Sequence, residues 1–243
     1  KLALKVTWEG VSCDICHVMS AVQVNGQSAT MTFDPGPVKR GPIKDAASGL
    51  HDVAYSELHT TSEVCAGCHQ FVNAEGTPVM TTYSEWQASA AAQAGKNCQA
   101  CHMGRQKADV VDPKIMRDPD ATVNLHEVPG GHSLDQLNKA LSVGIKPVHT
   151  NGRVQLEVTL RNDGAGHSVP TGMPGRRVLL EIRVQTSEGT TFEEQRSHGT
   201  TYTDVTGTEI TRDSGYFAPG VKLTGDTRLR CGEARVETFS FPV

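Results

Sequence analysis

Aromatic residues are scarce in this sequence: they make up 5% of its 243 positions, within a hydrophobic total of 37%. A chain of this length normally fills its interior with more large apolar side chains, so other apolar material is expected inside. Long hydrophobic runs are missing too. No stretch approaches the roughly 20 apolar residues of a membrane-spanning helix, and the start KLALKVTWEG lacks the apolar core of a signal peptide. The expectation is a soluble, processed or truncated chain with no transmembrane segment. Basic clusters are equally absent. The net charge is -4 and the pI near 6.2, which excludes the electrostatic footprint of nucleic-acid or anionic-membrane binding. There is no P-loop, dinucleotide fingerprint or Ser-His-Asp arrangement, and the glycines of GGHS and GAGHS lack phosphate-loop spacing.

Cysteine is what the sequence does supply. Six of its seven cysteines fall into three units of one form: Cys13-Asp-Ile-Cys16-His17, Cys65-Ala-Gly-Cys68-His69 and Cys98-Gln-Ala-Cys101-His102. Two thiols three positions apart can add to the two vinyl groups of one haem while the adjacent imidazole reaches the iron from the same side. A Cys₄ zinc site would use two of the pairs and leave the third, and all three histidines, unexplained. A redox disulfide has no use for the histidines either. The units therefore predict three c-type haems, with His17, His69 and His102 as proximal ligands. Haem attachment to such units follows export in bacteria and archaea, which places the chain in the periplasm or outside the cell. Cys231 has no partner left and reads as a partly buried free thiol, with an intermolecular or linkage role as the alternative.

Seven histidines remain for the sixth coordination positions. His51 and His59 lie between the first two motifs, His126 and His132 bracket the glycine-containing EVPGG, and His167 sits in the glycine-flanked turn GAGHSVP. These five are the distal candidates. His149 and His198 have weaker contexts, at a linker and within a polar strand-like run. Met19, Met80 and Met103 are near the motifs but read as packing against porphyrin edges. A surplus of histidines favours closed, bis-histidine coordination at every iron. No Cys-x-x-Cys-Lys variant or compact Arg, Tyr and His cluster marks an open catalytic iron. The reading is thus an electron carrier without catalytic residues. The alternatives are a haem enzyme of the nitrite or hydroxylamine type and a haem-bearing subunit of a membrane-associated complex.

Texture divides the chain. Residues 1–148 hold every haem motif and long aperiodic stretches such as 25–42, with helices expected at 83–94, ended by Gly95, and at 133–143, opened by Ser133. From 149 to 243 alternation takes over, as in Val154, Leu156, Val158 and Leu160, in Leu180, Ile182 and Val184, and in 235–241. The expected fold is a mostly irregular and α multihaem domain organised by covalent haems, followed by a small antiparallel β-sandwich.

The phrases GVSCDICH, SEVCAGCH and TTYSEWQASAAAQAGKNCQACHM, followed by LHEVPGGHS, resemble the multihaem cytochromes related to cytochrome c-554. NDGAGHSVPTGMPGRR resembles the β-domain that follows the haem segment in many of them. The resemblance implies electron transfer through bis-histidine haems packed into a chain, with other redox proteins or neighbouring cytochrome subunits as partners, homo-oligomers or filaments included. It also implies a further Cys-x-x-Cys-His ahead of GVSCDICH, which the twelve residues before Cys13 do not contain.

Overall fold

The computed structural model describes residues 10–26, 28–108, 120–150 and 152–242. The opening KLALKVTWEG, apart from Gly10, lies outside the described residues. The expected architecture does not hold: strand accounts for 41% and helix for 20%, the motif-bearing part is neither mostly helical nor irregular, and the strands form small open sheets with no closed sandwich. Two compact units emerge, one of Lys1–Gln70 with Gly95–Pro129 and the other of Phe71–Ala94 with Gly130–Val243.

The first unit opens with α1 (Cys13–His17), then β1 (Met19–Asn25) and β2 (Ser28–Phe33), which pair as an antiparallel hairpin. Asn25-Gly26, with Gly26 at φ +62°, supplies the left-handed backbone that such a turn demands. The strand Ser28–Phe33 thus lies within the stretch 25–42 that was expected to be aperiodic. β3 (Val38–Gly41) and β4 (Asp52–Tyr55) pair in parallel, a 3-10 turn spans Glu57–Thr60, and α2 (Glu63–His69) carries the second motif. A Cβ at Gly67 of α2 would run into the Met31 side chain, which would have to shift to admit one.

The chain then crosses into the second unit for β5 (Phe71–Val72), β6 (Pro78–Met80), α3 (Thr82–Gln87) and α4 (Ala90–Gln93). The single helix expected over 83–94 is broken because Ser89 turns extended, at ψ 162°, and its hydroxyl accepts the Ala92 amide. Returning to the first unit, α5 (Cys98–His102) holds the third motif, and β7 (Arg105–Lys107) pairs with β8 (Thr122–Asn124). Among the described residues, the first unit's buried apolar residues are Val18, Met19 and Ala66, and the two hydrophobic clusters lie in the second unit.

In the second unit α6 (Leu134–Ala140) is capped by Ser133 as expected but stops at Ala140. Leu141 is extended and starts β9 (Leu141–Thr150), because the β-branched Val143 and Ile145 pair with β10 (Arg153–Asn162). The remaining strands are β11 (Arg177–Gln185), β12 (Thr191–Thr203), β13 (Lys222–Asp226) and β14 (Ala234–Pro242). They form two antiparallel sheets, ordered β14-β10-β9 and β11-β12-β13. Val158, Leu160, Ile182, Leu229, Phe239 and Phe241 make one buried cluster between alternating strand faces. Val79, Tyr202, Tyr216 and Val221 make a second, where the Tyr202 hydroxyl donates to the Pro78 carbonyl at 2.6 Å.

Candidate haem-binding sites

All three Cys-x-x-Cys-His units end short helices of the first unit, and one helical turn puts each cysteine pair and its histidine on adjoining positions. Cys13, Cys16, Cys68 and Cys101 are exposed, and Cys65 and Cys98 half-buried. The second and third motifs are neighbours: the Cys65 and Cys98 thiols share a hydrogen bond, and this bond, with burial, raises the Cys65 pKa. Ser62 Oγ accepts the Cys98 amide at 3.0 Å. Asn97 caps α5 through its Oδ1 and donates from Nδ2 to the Thr60 carbonyl, while Gln99 donates to the Thr61 carbonyl at 2.7 Å. Three residues ahead of the second motif, Thr60, Thr61 and Ser62, thus hold the start of the third.

Two proximal histidines are oriented from a distance. His17 Nδ1 lies 2.5 Å from the Arg40 carbonyl and His102 Nδ1 2.7 Å from the Pro129 carbonyl. A carbonyl only accepts, so each Nδ1 carries the proton and each Nε2 keeps a lone pair for a metal. His69 is exposed at the end of α2.

Of the distal candidates, the structure gathers two about the first motif. The His17 ring stands 5.8 Å from that of His59, at 18° between planes, and 6.1 Å from that of His126, at 34°. His126 is exposed, and His59 is buried. Burial lowers the His59 pKa more than its bond to the Cys16 carbonyl raises it, so the ring is neutral. His59 Nε2 donates to that carbonyl at 2.9 Å, which leaves a lone pair on Nδ1, buried and without a hydrogen-bond partner. Arg40 Nη1 is likewise buried without a partner. His51 is exposed and donates from Nδ1 to the Asp52 carbonyl at 3.0 Å.

The other histidines belong to the second unit. His132 is exposed just before α6. His167 lies in a loop built by Asn162, whose buried amide donates to the His167 and Leu229 carbonyls at 2.8 and 3.0 Å; Glu85 accepts the Ser168 amide at 2.9 Å. His167 donates from Nδ1 to the Ser168 carbonyl. His149 is exposed on β9, and His198 is buried in β12 against Arg235 at 3.1 Å. Met19 is buried in the first unit, Met80 packs against the Tyr202 cluster, and Met103 follows α5.

The residues fit c-type haem. Four of the six motif cysteines are exposed, carbonyls accept from Nδ1 of His17 and His102, and, among the described residues, Arg40 Nη1 and His59 Nδ1 are buried without a hydrogen-bond partner beside the first motif and few apolar side chains of the unit are buried. Among the described residues no group of three or more His, Cys, Asp or Glu is placed to hold a metal ion on its own. Arg40, Pro129, Ser62 and Asn162 carry no motif that would have marked them in the sequence; only the Asn97 cap, directly ahead of a helical motif, had a readable signal.

No family model matches the sequence, and no curated protein does. Among solved structures, a penta-heme cytochrome c552 from Thermochromatium tepidum superposes with a TM-score of 0.70. The fold resembles that of a penta-haem cytochrome. Sequence identity is 20% over 96% of this chain, which spans 66% of the length of the cytochrome. At that identity the likeness is one of fold.

Proposed function

We propose that this chain is an exported electron carrier with three covalently attached c-type haems, related to the cytochrome c-554 group, in which residues 1–148 bear the haems and 149–243 support or dock them. The observation that carries this reading is the set of three Cys-x-x-Cys-His helices in a unit whose buried apolar residues, among the described ones, are Val18, Met19 and Ala66. Such a unit cannot offset its chain entropy by burial alone and needs apolar groups of other origin. The penta-haem likeness supports the same conclusion.

Bound at these motifs, c-type haem supplies reversible one-electron chemistry at iron. The chain's own residues fix its setting. The Arg40 and Pro129 carbonyls favour the Nδ1-protonated tautomer of His17 and His102, which would leave Nε2 of each free to hold a haem iron and would raise its basicity. Two imidazoles on opposite sides of one metal ion, each at about 2.0–2.1 Å as in zinc sites, have centroids roughly 6 Å apart. The 6.1 Å between His17 and His126 is close to this spacing and supports His126 as the distal candidate for the first motif. His59 stands at a similar spacing, but its Nε2 is committed to the Cys16 carbonyl, which gives it the role of bracing α1. Arg40 Nη1 suits a haem propionate. His51, His132 and His167 remain the ligand candidates for the other two irons.

The test is spectroscopic. The haem-loaded chain is expected to be low-spin and six-coordinate throughout and unchanged by carbon monoxide or nitrite. A high-spin fraction that binds either ligand would replace the carrier reading with haem catalysis.

A further inference from the structure

β9 is an edge strand: β10 lies on one side of it, and among the described residues no strand pairs with the other. The direction of its main-chain groups follows from β10. Asn162 donates to the Glu233 carbonyl and accepts from the Gly232 amide, so the even-numbered residues of β10 turn their hydrogen-bonding groups toward β14. Their β9 partners are Val143 opposite Leu160, Ile145 opposite Val158 and Pro147 opposite Leu156. These three therefore point their main-chain groups away from β10. Pro147 agrees, since a proline in a strand must turn its missing N–H to an unpaired edge.

Side chains directly opposite share a face. Val143 and Ile145 thus lie on the same face as Leu160 and Val158, which are 5% and 0% exposed in the core. Yet Val143 is 58% and Ile145 63% exposed. β9 carries the apolar face of its sheet beyond what covers it, alongside an outward row of hydrogen-bonding groups.

We propose that a second copy of this chain docks on β9, the two strands pairing antiparallel about a two-fold axis through Val143. This register uses the donors available. Val143 exchanges both bonds with Val143 of the second copy, and the Ile145 amide meets the Leu141 carbonyl, whose own amide already donates to Leu137 at the end of α6. Pro147 then falls outside the paired segment, whereas an axis through Ile145 would set it opposite Val143 and lose a donor. The charges are complementary. Asp163 is held on Ser142 Oγ at 2.8 Å, and Ser142 faces Gly144 of the second copy, so Lys146 of that copy, 74% exposed though 3.4 Å from Glu157 of its own chain, stands diagonally across from Ser142 and the Asp163 it holds. The axis repeats this contact, and no like charges face each other within the paired segment.

Sedimentation equilibrium and light scattering of the full haem-loaded chain test the interface across a concentration series. A dimer is expected. Val143→Pro removes only outward-facing N–H groups and leaves the β10 ladder whole, so it weakens the dimer by about tenfold or more, with an unchanged thermal unfolding profile. Should that variant misfold, the charge pair decides: Lys146→Asp weakens dimerisation and Lys146→Asp with Asp163→Lys restores it. A parent chain that stays monomeric, a dimer indifferent to Val143→Pro, or a double swap without rescue overturns the proposal.

Discussion

His126 is the residue whose loss should be most informative. If it ligates the first iron opposite His17, as the 6.1 Å ring separation suggests, His126→Ala converts one haem of three to high spin, readable by electron paramagnetic resonance, and leaves the others as they were. A variant that remains fully low-spin would return the role to another histidine. Arg40 makes a second test. Its buried Nη1 has no partner among the described residues, and a fixed cation beside a haem edge favours the reduced state. Arg40→Gln should lower the midpoint potential of one haem in a redox titration while its backbone carbonyl still orients His17; an unmoved set of potentials would contradict the propionate pairing. The cysteines and proximal histidines were legible in the sequence because haem attachment needs them five residues long and contiguous. Their orienting carbonyls were not, since Arg40 lies 23 residues from His17 and Pro129 lies 27 from His102, and any residue can offer a carbonyl.

Elements obey the same division between local and distant causes. The runs 154–160, 180–184 and 235–241 alternate and lie in strands β10, β11 and β14, because one-sided burial leaves its period in the sequence. Ser89 and Leu141 show where local propensity loses: a hydroxyl cap divides one helix, and pairing with Asn162 pulls the end of another into β9. The hairpin of β1 and β2 was missed although Asn25-Gly26 signalled it, and the open sheets could not be foreseen because sheet closure depends on which edges meet. Across β12 and β14, burial lowers the pKa of His198 more than Glu237 raises it, and Arg235 lowers it further. The unfolded chain, with an ordinary histidine pKa near 6.5, therefore binds the proton first as pH falls. Stability from this site is complete above about pH 6.5 and declines as pH drops through the folded value. Denaturant titrations should show this decline in the parent and its reduction in His198→Asn; identical pH slopes would contradict it.

At the scale of the whole molecule, the two units have different sources of cohesion. The second carries both hydrophobic clusters, including Phe239 at 2% exposure, so Phe239→Ala should cost roughly 3–5 kcal/mol in chemical denaturation. The first has short strands, stitched helix starts and almost no apolar interior, and its order is assigned to the haems. The scarcity of aromatic residues with which the sequence is first met is explained by that assignment. The central claim is one haem on each of three motifs, and the intact mass of the denatured, exported chain tests it most directly. The account predicts the polypeptide mass plus three haems, with none lost on denaturation; a mass carrying fewer, or bare polypeptide, would contradict it.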